Sequence, residues 1–354
     1  MPKVFRNNLK VIFFLIPLIF FSCVSESTDK TSITIITYNT GNLFDDIDNG
    51  TEYTDYDPGK GNWTTEDFHN KLDNIARVIN QAYNNGPDIV ALQEVENEYT
   101  LNYLCNNYLS GYDYRVMYPV KGSAVNCAII SRIKIDRTGV LVPAETNYVP
   151  RAIIEVEVNM NGASLFIFNN HWKSKLGGAE ETETERLISS ALLAGRIKEI
   201  LTRDPDADII VLGDFNENAD EYFETGMFYQ TALMPVAALA ESDIVKSLFL
   251  TGEKDSTEIS EQAVILYEPW YKISTDDYGS YNYRGKWQTP DHILLSSGLF
   301  NKESFFYSEG DFDIVDKDFL IDPDTGYPVK NGYASYVYSD HLPLIVSISF
   351  NIIE

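Results

Sequence analysis

Thiols and imidazoles are scarce in this chain of 354 residues, with three cysteines and four histidines. So few thiols exclude a disulfide-rich scaffold and a zinc cluster of the thiolate kind. Positive charge is short as well, 27 Lys and Arg against 53 Asp and Glu, for a net charge of −26. A chain of that sign should not hold nucleic acid by bulk attraction, because the polyanion meets a field of its own sign. A local basic spot or a bound cation could still reverse that field at one site. No solenoid-type repeat recurs, and no Pro/Ser linker divides the chain. Apolar residues are not lacking: at 44% hydrophobic and 13% aromatic the chain can bury a sizeable core, so disorder is excluded as its main state.

The longest apolar run, VIFFLIPLIFF at 11–21, is too short to span a bilayer comfortably. Lys3, Arg6 and Lys10 precede it and Ser22-Cys23 follow, a pattern that resembles a bacterial lipoprotein signal. The expectation is a signal peptide over 1–22, a lipidated Cys23, a polar tether over 23–32 and an exported protein. That protein would stay at the cell envelope (outer membrane or periplasm) or be secreted, touching membrane only through its lipid. An ordinary secretory peptide or an uncleaved anchor are the alternatives. Cleavage before Cys23 would remove three positive charges and no negative one, leaving the mature chain more acidic still.

Strand-like and helical runs then alternate. ITIITY (33–38) is rich in β-branched residues and reads as a strand. Phe68, Leu72, Ile75, Ile79 and Ala82 recur at helical spacing until Gly86-Pro87 stops the helix. Residues 88–93 read as a buried strand, and 114–118, 124–131, 152–159 and 164–169 as further strands. A second helix is expected over about 183–202, before 208–212 returns to the sheet. Cys105 shares a helical face with Leu101, Leu104 and Tyr108, and Cys127 lies in VNCAII; both read as buried hydrophobes first and as a disulfide pair second. The pattern weakens over 217–286, where a helix around 222–240 and then a surface elaboration are expected. Residues 322–332 are turn chemistry, and 292–295 and 343–350 are the last strands. The economical reading is a single α/β domain over 33–354, sheets inside and helices outside.

Polar residues cluster where these strands end. One rim could gather Asn39, Glu94, His171, Asp214, Asn216, Asp291, Asp340 and His341. Hard oxygen donors without thiolates suit Mg²⁺ or Mn²⁺, and such a cation can neutralise charge developing on a phosphoryl oxygen. An imidazole held by a carboxylate can deprotonate water. Together these parts would hydrolyse a phosphoester.

TYNTGNLFD (37–45), DIVALQEVEN (88–97), NNHWKSK (169–175), VLGDFNE (211–217), PDHILLS (290–296) and SDHLP (339–343) resemble the endonuclease/exonuclease/phosphatase superfamily, in its order. The first and third most resemble its secreted bacterial nuclease-like members. The resemblance implies a four-layered αββα sandwich, with two mixed β-sheets face to face and helices outside. It makes Glu94 a metal ligand, with Asn39 and Asp340 beside the metal. It makes His341 the histidine that activates water, oriented by Asp291. Asp214 and Asn216 would align the nucleophile or leaving group and hold the phosphate, with His171 as a second phosphate contact. Some nucleases of the family carry an acidic residue where this chain has Gly41.

Each assignment has a plainer rival. Glu94 could cap the helix starting near Asn97, Asp214 and Asn216 could form an Asx-turn, and His341 with Asp340 could be a surface pair. Arg151 and Lys173 are candidate phosphate contacts, or an ion-pair partner and part of a solvated loop. Trp172 and the tyrosines of 278–283 could stack on a base or sugar, or simply pack. Strand alternation turns His292 away from the face of Asp291, and His69 reads as solvated. The function expected is a divalent-metal-dependent phosphoesterase, most like an exported nuclease-like phosphodiesterase and monomeric. Nucleic acid, a phospholipid headgroup (as for a sphingomyelinase) and inositol phosphates remain open as substrates. The alternative is a non-catalytic surface lipoprotein that binds glycan or another ligand.

Overall fold

The computed structural model describes residues 31–144, 148–240, 247–257, 263–274, 278–331 and 335–351. The expected signal peptide, Cys23 and most of the tether lie outside them; Thr31 and Ser32 already belong to the first strand. Among the described residues no helix is long and apolar enough to cross a membrane.

Two mixed sheets pack face to face. The first runs Phe305–Phe306, Leu344–Phe350, Thr31–Leu43, Ile89–Val95, Asn126–Ser131 and Tyr114–Met117, with Phe312–Ile314 also on Leu344–Phe350. The second runs Arg137–Leu141, Ile153–Met160, Ala163–His171, Asp208–Asp214, Asp291–Leu295, Val264–Tyr267, Leu248–Thr251 and Leu233–Pro235. Ile89–Val95 and Asp208–Asp214 are near-continuous apolar runs because central strands of a sandwich with helices outside are covered on both faces. One apolar core joins the sheets, from Ile35, Leu92 and Ile129 to Ile167, Val211 and Leu294.

Helix α1 (Thr65–Ala82) begins at a capping box between Thr64 and Asp67 and buries Phe68, Leu72, Ile75 and Ile79. It lies against Thr31–Leu43, beside α2 (Glu98–Asn107), whose Tyr103 ring is 5.3 Å from Phe68. Helix α3 (Glu183–Arg203) lies against Leu248–Thr251 and Val264–Tyr267 on the other side. The result is the four-layered αββα sandwich.

Three sequence expectations change. Within 217–286, Leu233–Pro235, Leu248–Thr251 and Val264–Tyr267 extend the second sheet rather than decorate the surface. The expected helix around 222–240 breaks into the short helix Glu221–Glu224, the strand Leu233–Pro235 and a 3-10 helix over Val236–Ala240. The buried Glu217 carboxylate accepts from Leu233 N at 2.9 Å and Ala232 N at 3.3 Å, which holds that backbone extended, and Pro235 would break a helix there. His69 is only partly exposed, and its Nδ1 lies 2.7 Å from the Tyr108 hydroxyl. Cys105 and Cys127 are free buried thiols, pushed by burial up to about 11 and about 12, and therefore unreactive.

Candidate active site

Registry gathers the rim. Asp214 is the cross-strand partner of Asp291 on one side and of His171 on the other, and Asn39 pairs with Gln93. Both Thr31–Leu43 and Ile89–Val95 break register near their ends, and there Glu94 and Asn42 take φ of +62° and +66°. Non-glycine residues rarely adopt that region, and such bulges re-aim side chains next to sites. Here the bulge turns Glu94 to the rim, where its Oε2 accepts from Asn42 N at 2.8 Å. Glu94 does not cap α2; the Asn97 side chain does, accepting from Thr100 N.

Two glycines are required by close approach. At Gly213, φ +133°, a Cβ would lie 2.1 Å from Asn170 O. At Gly41, φ +61°, a Cβ would lie 2.9 Å from Ser339 Oγ and 3.3 Å from Asp340 Oδ1. A side chain there would crowd Ser339 at a left-handed φ and, if acidic, set a further negative charge beside Asp340, so glycine suits the position.

The centre is a buried dyad. His341 Nδ1 is 2.7 Å from Asp291 Oδ2, which also accepts from Ser280 Oγ at 2.6 Å. With Nδ1 so held, Nε2 is left toward Asp214 Oδ2 at 4.0 Å. Asn39 Nδ2 donates to the same Asp214 oxygen at 2.9 Å. His171 Nε2 lies 3.6 Å from Asp214 and 3.8 Å from Glu94. Asn216 N donates to Asp214 Oδ1 at 2.8 Å, so the Asx-turn is present as well, within the site. The Asn216 amide reaches Trp172 O at 3.2 Å.

Burial sets the electrostatics. It pushes Asp214 up to about 7, with His341 acting in the opposite direction. It raises Glu94, and the nearby Asp340 carboxylate raises it further. It lowers His171 well below the ordinary imidazole value, helped by Arg151. Burial also disfavours a charged His341, yet the Asp291 carboxylate overrides it and holds that imidazole well above its usual value. Glu94 and Asp340 therefore repel each other across a rim of hard oxygen donors, an arrangement a divalent cation would relieve. Asn39 Oδ1 accepts from Gly41 N at 3.0 Å and keeps a second lone pair, and oxygen donors of this kind suit a hard divalent cation. Asp214, Asp291 and His341 also place donor atoms within 4.8 Å of one another, but Asp291 Oδ2 is committed to His341 and Ser280.

The remaining expected residues fall as follows. Arg151 Nη1 donates to Trp172 O at 3.3 Å and is close enough to act on both Glu94 and His171. Lys173 turns its ammonium back to Ser174 O at 2.9 Å and Leu176 O at 3.3 Å, away from the centre. Trp172 is buried against Phe215, with ring centroids 4.6 Å apart, so it packs and does not stack on a ligand. His292 is buried, with Nδ1 2.6 Å from Glu268 Oε2.

Sequence reasoning missed Ser280 and Lys71, and gave Tyr281 only a stacking or packing role. Ser280 steadies Asp291, the Tyr281 ring lies 4.7 Å from that of His341, and Lys71 reaches over from α1. Its Nζ donates to Gly41 O at 2.9 Å and Tyr338 O at 2.8 Å, tying the Asn39 segment to the His341 segment. Burial lowers Lys71 to about 8. The helical spacing marked α1 but gave Lys71 no signal of its own.

The dyad carries a pH prediction. His341 accepts a proton only when neutral, so activity should rise with pH through its elevated value, which lies above 6.5. Asp291→Asn removes the anion that favours the imidazolium, and should shift the acidic limb of kcat/KM to lower pH while lowering its plateau. A limb that stays in place in this variant would separate Asp291 from His341.

A four-layered sandwich with a carboxylate-held histidine among oxygen donors at its rim is the arrangement of a phosphoester hydrolase. The sequence profile of the Endonuclease/Exonuclease/phosphatase family matches residues 34–228 and 242–349, and the chain belongs to that family. Curated proteins show no match. Among solved structures, a family protein from Bacteroides thetaiotaomicron is 19% identical, with TM-score 0.53, covering 92% of this chain and 100% of its own. A mannosyl-6-phosphatase from the same organism is 19% identical, with TM-score 0.52, covering 89% and 99%. Sphingomyelinase C from Streptomyces griseocarneus is 16% identical, with TM-score 0.50, covering 91% and 99%. At these identities the three structures share the fold.

Proposed function

We propose that this chain hydrolyses phosphoesters with Mg²⁺ or Mn²⁺ held by Glu94, Asn39 and Asp340, and that His341 activates the attacking water. The observation that carries the reading is the 2.7 Å His341–Asp291 contact, with Asp214 beside the free Nε2. When bound, the cation supplies Lewis-acid stabilisation of the phosphoryl oxygens. Asp291, itself steadied by Ser280, fixes the proton on Nδ1, so Nε2 is free to take a proton from water. Asp214 orients that water or the leaving oxygen through its remaining lone pairs. Asn216 and His171 hold phosphate oxygens, with Arg151 behind them as the nearest positive charge.

The finer reading is an exported, nuclease-like phosphodiesterase acting as a monomer, tethered by lipid at Cys23. Incorporation of labelled palmitate that persists in Cys23→Ser would remove that anchor. The catalytic reading is tested with bis-p-nitrophenyl phosphate: turnover with Mg²⁺ or Mn²⁺ and none in excess EDTA. Loss of one charged ligand oxygen in Glu94→Gln should raise the metal concentration for half-activity by at least about tenfold. An unaltered metal curve would move the cation elsewhere. No turnover of any phosphoester would favour the ligand-binding lipoprotein.

A further inference from the structure

A cavity of about 690 Å³ opens beside the rim, between the segment before α1, α1 itself and residues 337–340. It borders the proposed metal site directly, because Gly41, Asn42 and Asp340 belong to its wall. The rest of the lining is of a different chemistry. The Tyr56 and Trp63 rings meet at 5.0 Å, and Phe44 stacks behind Tyr56 at 5.0 Å, holding the aromatic wall in place. Asn62, Asn70, Asn74, Asp55 and Asp67 supply most of the remainder. Two buried polar atoms of the lining, Asn42 Oδ1 and Trp63 Nε1, have no hydrogen-bond partner. Both atoms are covered by neighbouring groups, so what a bound molecule meets at the cavity surface is the aromatic wall with the surrounding amides and carboxylates.

The charge of the cavity limits what that molecule is. Among the described residues its one lining cation, Lys71, already spends its ammonium on Gly41 O and Tyr338 O. The other charges are the carboxylates of Asp55, Asp67 and Asp340. A polynucleotide strand would bring further phosphates against these carboxylates, in a chain of net charge −26. Amides and carboxylates together offer donors and acceptors in mixed order, which hydroxyl groups satisfy from both sides. An aromatic wall takes the C–H face of a ring.

We infer that this cavity is the subsite for a neutral polyhydroxylated leaving group, so that the substrate is a phosphate ester of a sugar or cyclitol. The inference rests on the phosphoesterase reading and names its substrate class, in place of the nuclease-like form of that reading. The ester phosphate sits at the rim while the polyol lies over Trp63 and between Asn42 and Asn70. Hydrolysis breaks the bond between phosphorus and the polyol oxygen; water supplies the new oxygen on phosphorus and its proton ends on the released hydroxyl.

The test compares kcat/KM for a hexose 6-phosphate, an inositol monophosphate, methyl phosphate and a single-stranded oligonucleotide, all with Mg²⁺. At least one polyol ester should exceed methyl phosphate by about tenfold or more. Trp63→Phe keeps an aromatic ring but removes the indole N–H and part of the stacking face; Asn70→Ala lies on an exposed helical position. Each should lower the polyol-to-methyl ratio by about tenfold, mainly through KM. Equal rates for methyl and polyol esters, ratios unmoved in both variants, or preference for the oligonucleotide would overturn the inference. If no ester is turned over at all, the phosphoesterase reading fails, and calorimetric titration with the same two polyol phosphates decides the cavity separately. Binding weakened by Asn70→Ala would sustain it, and no binding would end it.

Discussion

Replacing His341 by Ala is expected to lower phosphodiester turnover by about 10²–10⁴-fold, the span a positioned general base contributes. The size of the loss follows from how completely the imidazole is held. Asp291 fixes one ring nitrogen at 2.7 Å, Tyr281 packs against the ring face at 4.7 Å, and His341 N donates to Ser339 Oγ at 3.0 Å. Such a group acts from one orientation, and the only other histidine at the centre, His171, is buried beside Glu94 and Asp214. The fold should survive, because Asp291 keeps its Ser280 partner at 2.6 Å. Rates measured at saturating Mg²⁺ separate this effect from metal loss. A variant that retains more than about a tenth of the wild-type rate would contradict the general-base role.

How much of this was legible in the sequence depends on how each residue reaches the site. Asn39, Glu94, Asp214 and Asp291 stand out because a polar residue interrupts an apolar strand at its end, and strand ends meet at rims. Ser280 and Tyr281 come from the start of a short hairpin outside the two main sheets, and Lys71 from the side of a helix. Lys71 meets Tyr338 across 267 positions of sequence, and no local period encodes such a contact. The strands at 233–267 were illegible for another reason. At three or four residues each, Leu233–Pro235, Leu248–Thr251 and Val264–Tyr267 are too short for alternation to separate strand from helix. Glu217 and His292 adjoin recognised motif residues, but only tertiary burial shows that they form a network behind the site.

That network gives the largest expected stability effect, in Arg186→Met. The Arg186 guanidinium is fully buried on α3. It donates to Glu217 Oε1 at 2.8 Å, Glu183 Oε2 at 2.6 Å, Thr182 Oγ1 at 2.9 Å and Ala179 O at 2.6 Å. Glu217 in turn holds the Leu233 backbone, and its carbonyl oxygen is 2.8 Å from His292 Nε2. Methionine fills much of the volume but leaves Glu183 and Glu217 buried together without a counter-charge. Breaking a buried pair from one side costs about 3–5 kcal/mol, well above the effect of a surface ion pair. Glu217 is already raised well above the ordinary carboxylate value, first by burial and next by Glu183. A carboxylate raised in the folded state binds more protons folded than unfolded, so the variant should recover stability as pH falls. Urea unfolding at pH 8 and pH 5 should therefore show a smaller deficit at the lower pH, and Glu183→Gln added to Arg186→Met should restore part of it at pH 8. Because Glu217 follows Asn216 and His292 follows Asp291, the same variant should lose activity before it unfolds. A midpoint shift worth less than about 1 kcal/mol, or a deficit that grows toward acid, would show that Arg186 does not neutralise this pair.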